Sequence, residues 1–208
     1  MPSPIGHMLA GYTVYALAGP HPAKEHRVVL VCTLLSAVAP DLDFLPGLLH
    51  GEVARFHQGG SHSLGAACLF AVGIWLVLRC YKVAQAHYLA LLFGSAYASH
   101  LVLDFFGADS GPPIGIPLFW PLLAGYYTSP QSFFMEIHRH ERGMASFLMS
   151  GFTRHNLLAA AWEIALLAPV ALCAHGFRRA GRRQRRRAPG VPLSPAFGSV
   201  ESSKETQV

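Results

Sequence analysis

The sequence predicts an all-α fold: a multi-span integral membrane helical bundle of four or five membrane helices with a Gly/Pro-rich outer loop. Three observations carry that expectation. Hydrophobic residues make up 52% of the 208 residues and charged residues only 13%, about half the charge of a water-soluble domain. Mean hydropathy is +0.34, and the apolar residues fall in blocks close to the ~20 residues that cross a ~30 Å hydrocarbon core. Seven arginines between Arg178 and Arg187 stand just after the last block. Without that block the chain is slightly acidic, so its basic balance is local. This composition argues against a conventional soluble enzyme and against a disordered chain.

The elements follow in order. Residues 5–18 are short and glycine-punctuated, consistent with a thin span, a re-entrant piece or an interfacial helix. The run from Val28 to Ala39 becomes long enough to cross if a helix begins at Pro22 and continues toward Asp41, with Lys24 and Arg27 snorkelling at one end. Residues 63–80, 87–106 and 157–177 each read as a span. Met1 to Pro4 has no basic residue to open a signal peptide, so the first segment is expected to stay on. Glycines and prolines between Gly107 and His155 argue against one continuous helix, and loops this long are usually functional or mobile. Beyond Phe177, residues 178–208 read as an Arg-rich and then Pro/Ser-rich disordered tail. Cys32, Cys68, Cys80 and Cys173 show no CxxC spacing and read as small apolar residues.

Basic residues near span ends mark the cytoplasmic side. The Arg block therefore puts the C-terminus inside, together with Arg79, Lys82 and the Lys24 and Arg27 end. The opposite ends, with Asp41, Asp43, His57, His62, His100, Asp104 and the long connection, share the outer side. That count used none of those residues.

Four segments on that side carry candidate chemistry. In SHLVLD, His100 and Asp104 lie four apart on one helix face and can share an ion or pair with each other; a polar plug at a helix contact is the structural alternative. APDLD closes an apolar helix with Asp41 and Asp43, hard oxygen donors suited to divalent cations. Acids there oppose the helix macrodipole. In FHQGGSHS, His57 and His62 flank Gly59 and Gly60, while Ser61 or Ser63 can cap the following helix; an exposed loop is the structural reading. His7 stands alone in its apolar stretch and joins the outer side if residues 5–18 cross or dip. His138, His140 and Glu141 carry no such restraint and read as solvated.

Taken together, GHMLAGY, APDLD, FHQGGSHS and SHLVLD, with a Gly- and Pro-rich segment reaching Pro121, resemble the YdjM-type family of LexA-binding, inner-membrane-associated metal-dependent hydrolases. The family pattern is an early His, Pro-Asp-x-Asp, His-Arg-Gly-x-Thr-His-Ser and Ser-His-x-x-x-Asp. The strong resemblance spans about Ile5 to Pro121. It implies that His7, Asp41, Asp43, His57, His62, His100 and Asp104 are metal ligands or their close partners; in our reading of that set, Asp43 or His7 completes the shell or serves as general base. It also implies a hydrolase domain over residues 1–177, similar to zinc-dependent phospholipase C. Gln58 stands where the pattern has Arg and Ser61 where it has Thr. Losing that guanidinium removes a natural phosphate clamp, which Arg55 is close enough to replace.

The combined expectation is a bacterial inner-membrane enzyme that hydrolyses a phosphoester or related ester of a lipid-like substrate, phospholipase-like in type. The His and Asp mixture suits zinc, with manganese as the alternative. Such an ion would lower the pKa of water toward ~7 and polarise the scissile group. The rival reading is a non-enzymatic membrane interaction protein whose basic tail binds anionic lipid, nucleic acid or a repressor-type partner. Seven arginines without interleaved aromatics do not indicate sequence-specific nucleic-acid binding. A transporter is disfavoured because the ionisable groups sit at span ends.

Overall fold

The computed structural model describes residues 1–19, 25–50, 56–139 and 144–187. Helix α1 covers Pro4–Leu17; Pro4 suits the first helical position, and the Ser3 side chain accepts from Gly6 N at 3.4 Å. Helix α2 covers His26–Val38. Pro40 has no N–H for the α ladder, and the chain tightens there into a 3-10 turn, Ala39–Asp43, before α3, Phe44–His50. A second 3-10 turn, Gly60–His62, leads to Ser63, whose hydroxyl accepts from Ala66 N at 3.0 Å and caps α4, Leu64–Cys80. Helix α5 covers Ala86–Phe105, α6 Met144–Ser150 and α7 Arg154–Arg187.

Among the described residues, three helical stretches are long and apolar enough to cross a bilayer: His26–Gly47, Ala86–Phe105 and Arg154–Gly181. The expected second span is therefore present but starts at His26 and runs through the Pro40 turn. Residues 20–24, including Pro22 and Lys24, lie outside the described residues. Helix α4, with 17 residues, and α1, with 14, are shorter, rising only about 26 and 21 Å. Helix α7 does not stop at Phe177 but carries the Arg block to Arg187. The buried Arg178 guanidinium donates to Tyr15 O at 2.7 Å and lies 3.9 Å from the centre of the Tyr15 ring, pinning α7 to α1. Residues 188–208 lie outside the described residues.

Helix α5 is central, packed against α1, α2 and α4, while α1 also packs on α2 and α7. Small residues allow the approach, as expected where lipid removes the usual hydrophobic drive between helices. A Cβ on Gly11 would meet Ala37 Cβ at 2.6 Å, and one on Gly94 would meet Ala71 Cβ at 2.7 Å. The polarity of the bundle is reversed relative to a soluble domain. Leu35, Leu69, Leu91 and Leu172 are exposed, whereas His7, Thr33, His62, His100 and Glu163 are fully buried.

The connection after α5 folds back on itself. Ile116 and Tyr127 exchange backbone hydrogen bonds of 3.0 and 2.9 Å, and Ala108 N donates to Phe134 O at 2.9 Å. Gly115 has φ +92°, and a Cβ there would lie 2.5 Å from Tyr127 O, so this pairing requires glycine. As the sequence suggested, no continuous helix fills the region, although its far end contains α6.

Candidate metal centre

The antiparallel packing collects the candidate residues at one end of the bundle. The start of α1 contributes His7, the turn after α2 contributes Asp41 and Asp43, and the segment before α4 contributes His57 and His62. The last turns of α5 contribute His100 and Asp104. All seven come together.

His100 sets the chemistry. Its Nδ1 lies 2.8 Å from Ala37 O; a carbonyl only accepts, so Nδ1 carries a hydrogen and Nε2 is the nitrogen turned inward, with a lone pair to offer an ion when the ring is neutral. His62 is held the same way, with Nδ1 3.2 Å from Asp43 Oδ2 and 3.1 Å from Ser61 Oγ. The two Nε2 atoms then face each other at 3.2 Å. Asp104 Oδ2 lies 3.1 Å from His100 Nε2 and 3.5 Å from His62 Nε2. Asp41 Oδ1 stands 3.5 and 3.6 Å from the same two nitrogens.

With His62 and His100 neutral, these inward atoms are acceptors pointed at acceptors. Asp41 Oδ1, both Asp104 oxygens, both His7 nitrogens and His57 Nε2 are buried without a hydrogen-bond partner. Orphaned buried acceptors are costly, and a cation among them removes the conflict. Among the described residues, three overlapping groups have ligand atoms within 4.8 Å of one another and could hold an ion: His7, Asp41 and His100; Asp41, His57 and His62; and His62, His100 and Asp104. His7 joins through Nε2, 3.5 Å from Asp104 Oδ1, and its ring stacks on His100 at 3.6 Å. The mixed nitrogen and oxygen donors therefore fit a metal ion.

The electrostatics of the two loop histidines differ. Burial chiefly, with the charges of Arg139 and His62, lowers His57 to a pKa of about 4 against the opposing Asp43 hydrogen bond. Burial also opposes charge on His62, but Asp41, Asp43 and Asp104 outweigh it and raise its pKa. His57 is therefore neutral near pH 7, while His62 sits where positive charge is wanted.

Asp43 lies apart from the convergent atoms. Its Oδ1 accepts from His57 Nδ1 at 2.8 Å and its Oδ2 from Ser61 Oγ at 2.8 Å, so it orients imidazoles. Gln58 faces away, donating to Asp109 Oδ2 at 3.2 Å, and Asp109 also accepts from Gly115 N at 2.8 Å. The position that carries Arg in the pattern thus ties down the long connection here. Arg55 lies outside the described residues, as do His140 and Glu141. His138 is exposed and stacks on His155 at 3.9 Å.

Sequence reasoning passed over several supporting residues. Tyr97 donates to Ser61 O at 2.6 Å; its position one turn before His100 on the same face was the available signal. Arg139 lies 4.9 Å over the Phe44 ring, which stacks on His57 at 3.7 Å, so a half-buried guanidinium borders the cluster. Glu163, an acid in an apolar span, was a visible warning. It is fully buried and accepts from Ser3 N at 2.7 Å and from Ser3 Oγ, anchoring the start of α1 four residues before His7. The role of Ala37 O had no sequence signal, because every residue has a carbonyl.

Comparisons with known proteins agree with the motifs and extend them. Neither the curated proteins nor the solved structures contain a match. The family model described as YdjM inner membrane protein matches residues 1–181. That match passes Pro121, where the short motifs end, and takes in α7 as far as Gly181, including Glu163. On this coverage, the chain belongs to the YdjM inner membrane protein family.

Proposed function

We propose that this membrane protein is a metal-dependent hydrolase acting on a phosphoester or related ester of a lipid-like substrate. The observation that carries the reading is the convergence of the His62 and His100 Nε2 lone pairs with Asp41 and Asp104 oxygens in a buried pocket of acceptors. A divalent ion, zinc or manganese, would lower the pKa of water and polarise the ester there.

The chain's own residues divide the work. His7, Asp41, His57, His62, His100 and Asp104 supply ligand atoms. Asp43 holds the His57 and His62 rings so that their Nε2 atoms stay free. With both Asp43 oxygens engaged, proton acceptance suits Asp41 better than Asp43 or His7. The Asp41 side chain keeps 16% exposure, while those of His7 and Asp104 are fully buried. Arg139 stands where it can attract an anionic group. The positions of Arg79, Lys82 and the Arg block support a cluster on the outer face.

Purified protein in bilayers, assayed against phospholipids, lipid phosphates and simple phosphodiesters, tests the reading. Turnover is expected on at least one class, lost with chelator and restored by zinc. Asp41→Asn should lower metal content, and should depress turnover beyond that loss if Asp41 also accepts the proton; a ligand role alone would lower both together. Bound metal with no turnover on any class would replace the hydrolase with a metal-stabilised partner-binding protein.

A further inference from the structure

We propose that the turn from Phe119 to Leu123 is a second membrane-contact element, inserted into the boundary between headgroups and acyl chains beside the segment that carries His62. It is independent of whether the cluster holds a metal or turns over a substrate.

The turn is apolar and outward. Leu122 is 87% and Leu123 53% exposed, with Phe119 and Trp120 also exposed. No Asp, Glu, Lys or Arg occurs between Asp109 and Glu136. A charge-free stretch with its largest apolar side chains turned outward is costly in water. Phe and Trp beside leucines are the composition of a membrane interface.

Its position selects lipid as the occupant. Leu64 N, in the first turn of α4, donates to Leu118 O at 2.9 Å, and a Cβ on Gly65 would lie 2.5 Å from Trp120 O. On the far side of the connection, Ser129 N donates to Phe105 O at 2.8 Å, at the end of the α5 span. The turn therefore lies beside span ends, continuous with the outward face of α4 formed by exposed Leu64, Leu69 and Val72.

Its backbone also suits a medium poor in water, where unpaired N–H groups are expensive. Trp120 N donates to Pro117 O at 3.0 Å, Leu122 N to Phe119 O at 2.9 Å and Leu123 N to Phe119 O at 3.1 Å, while Pro121 has no N–H. A Cβ on Gly60 would meet the Trp120 ring at 3.3 Å. The inserted turn thus rests on the segment that carries His62, bringing the lipid boundary next to the cluster.

Spin labelling tests this. Full-length protein with Cys32, Cys68, Cys80 and Cys173 replaced by Ala, carrying a nitroxide at Leu122→Cys, is reconstituted in phosphatidylcholine and phosphatidylglycerol vesicles. Collisions with oxygen should exceed those with a water-soluble nickel chelate several-fold, as at a Val72→Cys control and opposite to Ser110→Cys. Nickel-dominated collisions would overturn the proposal. So would low collision rates with both reagents accompanied by spin–spin broadening, which would put a second copy of the chain on the turn. A measurement that keeps the native cysteines guards against misfolding of the replaced background. Brominated phosphatidylcholine should quench tryptophan fluorescence less in Trp120→Phe than in the unaltered protein, and equal quenching overturns the insertion.

Discussion

The Nε2 atoms of His62 and His100 face each other at 3.2 Å while the opposite nitrogen of each ring is held by an acceptor, Asp43 Oδ2 for His62 and Ala37 O for His100. Two neutral imidazoles so arranged would repel through their lone pairs, and the raised pKa of His62 reflects the same demand for positive charge. The arrangement makes sense when a positive charge lies between them and the neighbouring carboxylates.

Removing a convergent group should therefore empty the centre. His100→Ala and Asp104→Ala are each expected to lower zinc content of the purified protein sharply, by more than the ~10- to 100-fold affinity loss typical of an outer partner. His138→Ala, on the exposed stack with His155, should change nothing. Elemental analysis decides it, and full occupancy in the first two variants would make the pair structural.

Zinc affinity should rise with pH. The raised pKa of His62 means a proton competes with the ion, so for one displaced proton affinity is expected to climb about tenfold per pH unit below that raised value, and to keep climbing above the ordinary histidine value of about 6.5. His57, at about 4, adds no step in that range. In metal-free protein the sign reverses for stability: a raised folded pKa contributes below the unfolded value and is lost as pH rises through the folded one. Chelator competition measures the affinity. A flat profile from about pH 6 to 8 contradicts the assignment of His62.

Glu163 should matter to both stability and metal. Glu163→Leu leaves the Ser3 donors unpaired in a buried place, at a cost of about 1–3 kcal/mol, and loosens the start of α1 that carries His7. A lower Tm in detergent and reduced zinc content are expected, with Glu163→Gln milder on both. Unchanged values for the Leu variant would show that α1 is positioned by packing alone.

Orientation can be read by cysteine labelling in a background without native cysteines. Gly59→Cys and Gly111→Cys are expected to react from outside the cell membrane, and Ser202→Cys only after permeabilisation. The reverse pattern would move the cluster to the cytoplasmic face.

What could be determined from sequence alone was local or additive. Apolar block length gave the helical membrane bundle, the i, i+4 spacing put His100 and Asp104 on one face, and the motif order singled out all seven residues of the cluster. Only the tertiary structure decided how those residues divide: which imidazole nitrogens turn inward, that Asp43 orients rings, that Gln58 serves Asp109, and that Glu163 anchors the start of α1. Those outcomes depend on contacts such as His100 with Ala37 O, 63 residues apart, and Ser3 with Glu163, 160 apart. Periodicity and spacing act along the chain. Hydrogen-bond partners are chosen by how closely helices approach, and here that closeness comes from contacts such as Gly11 against Ala37.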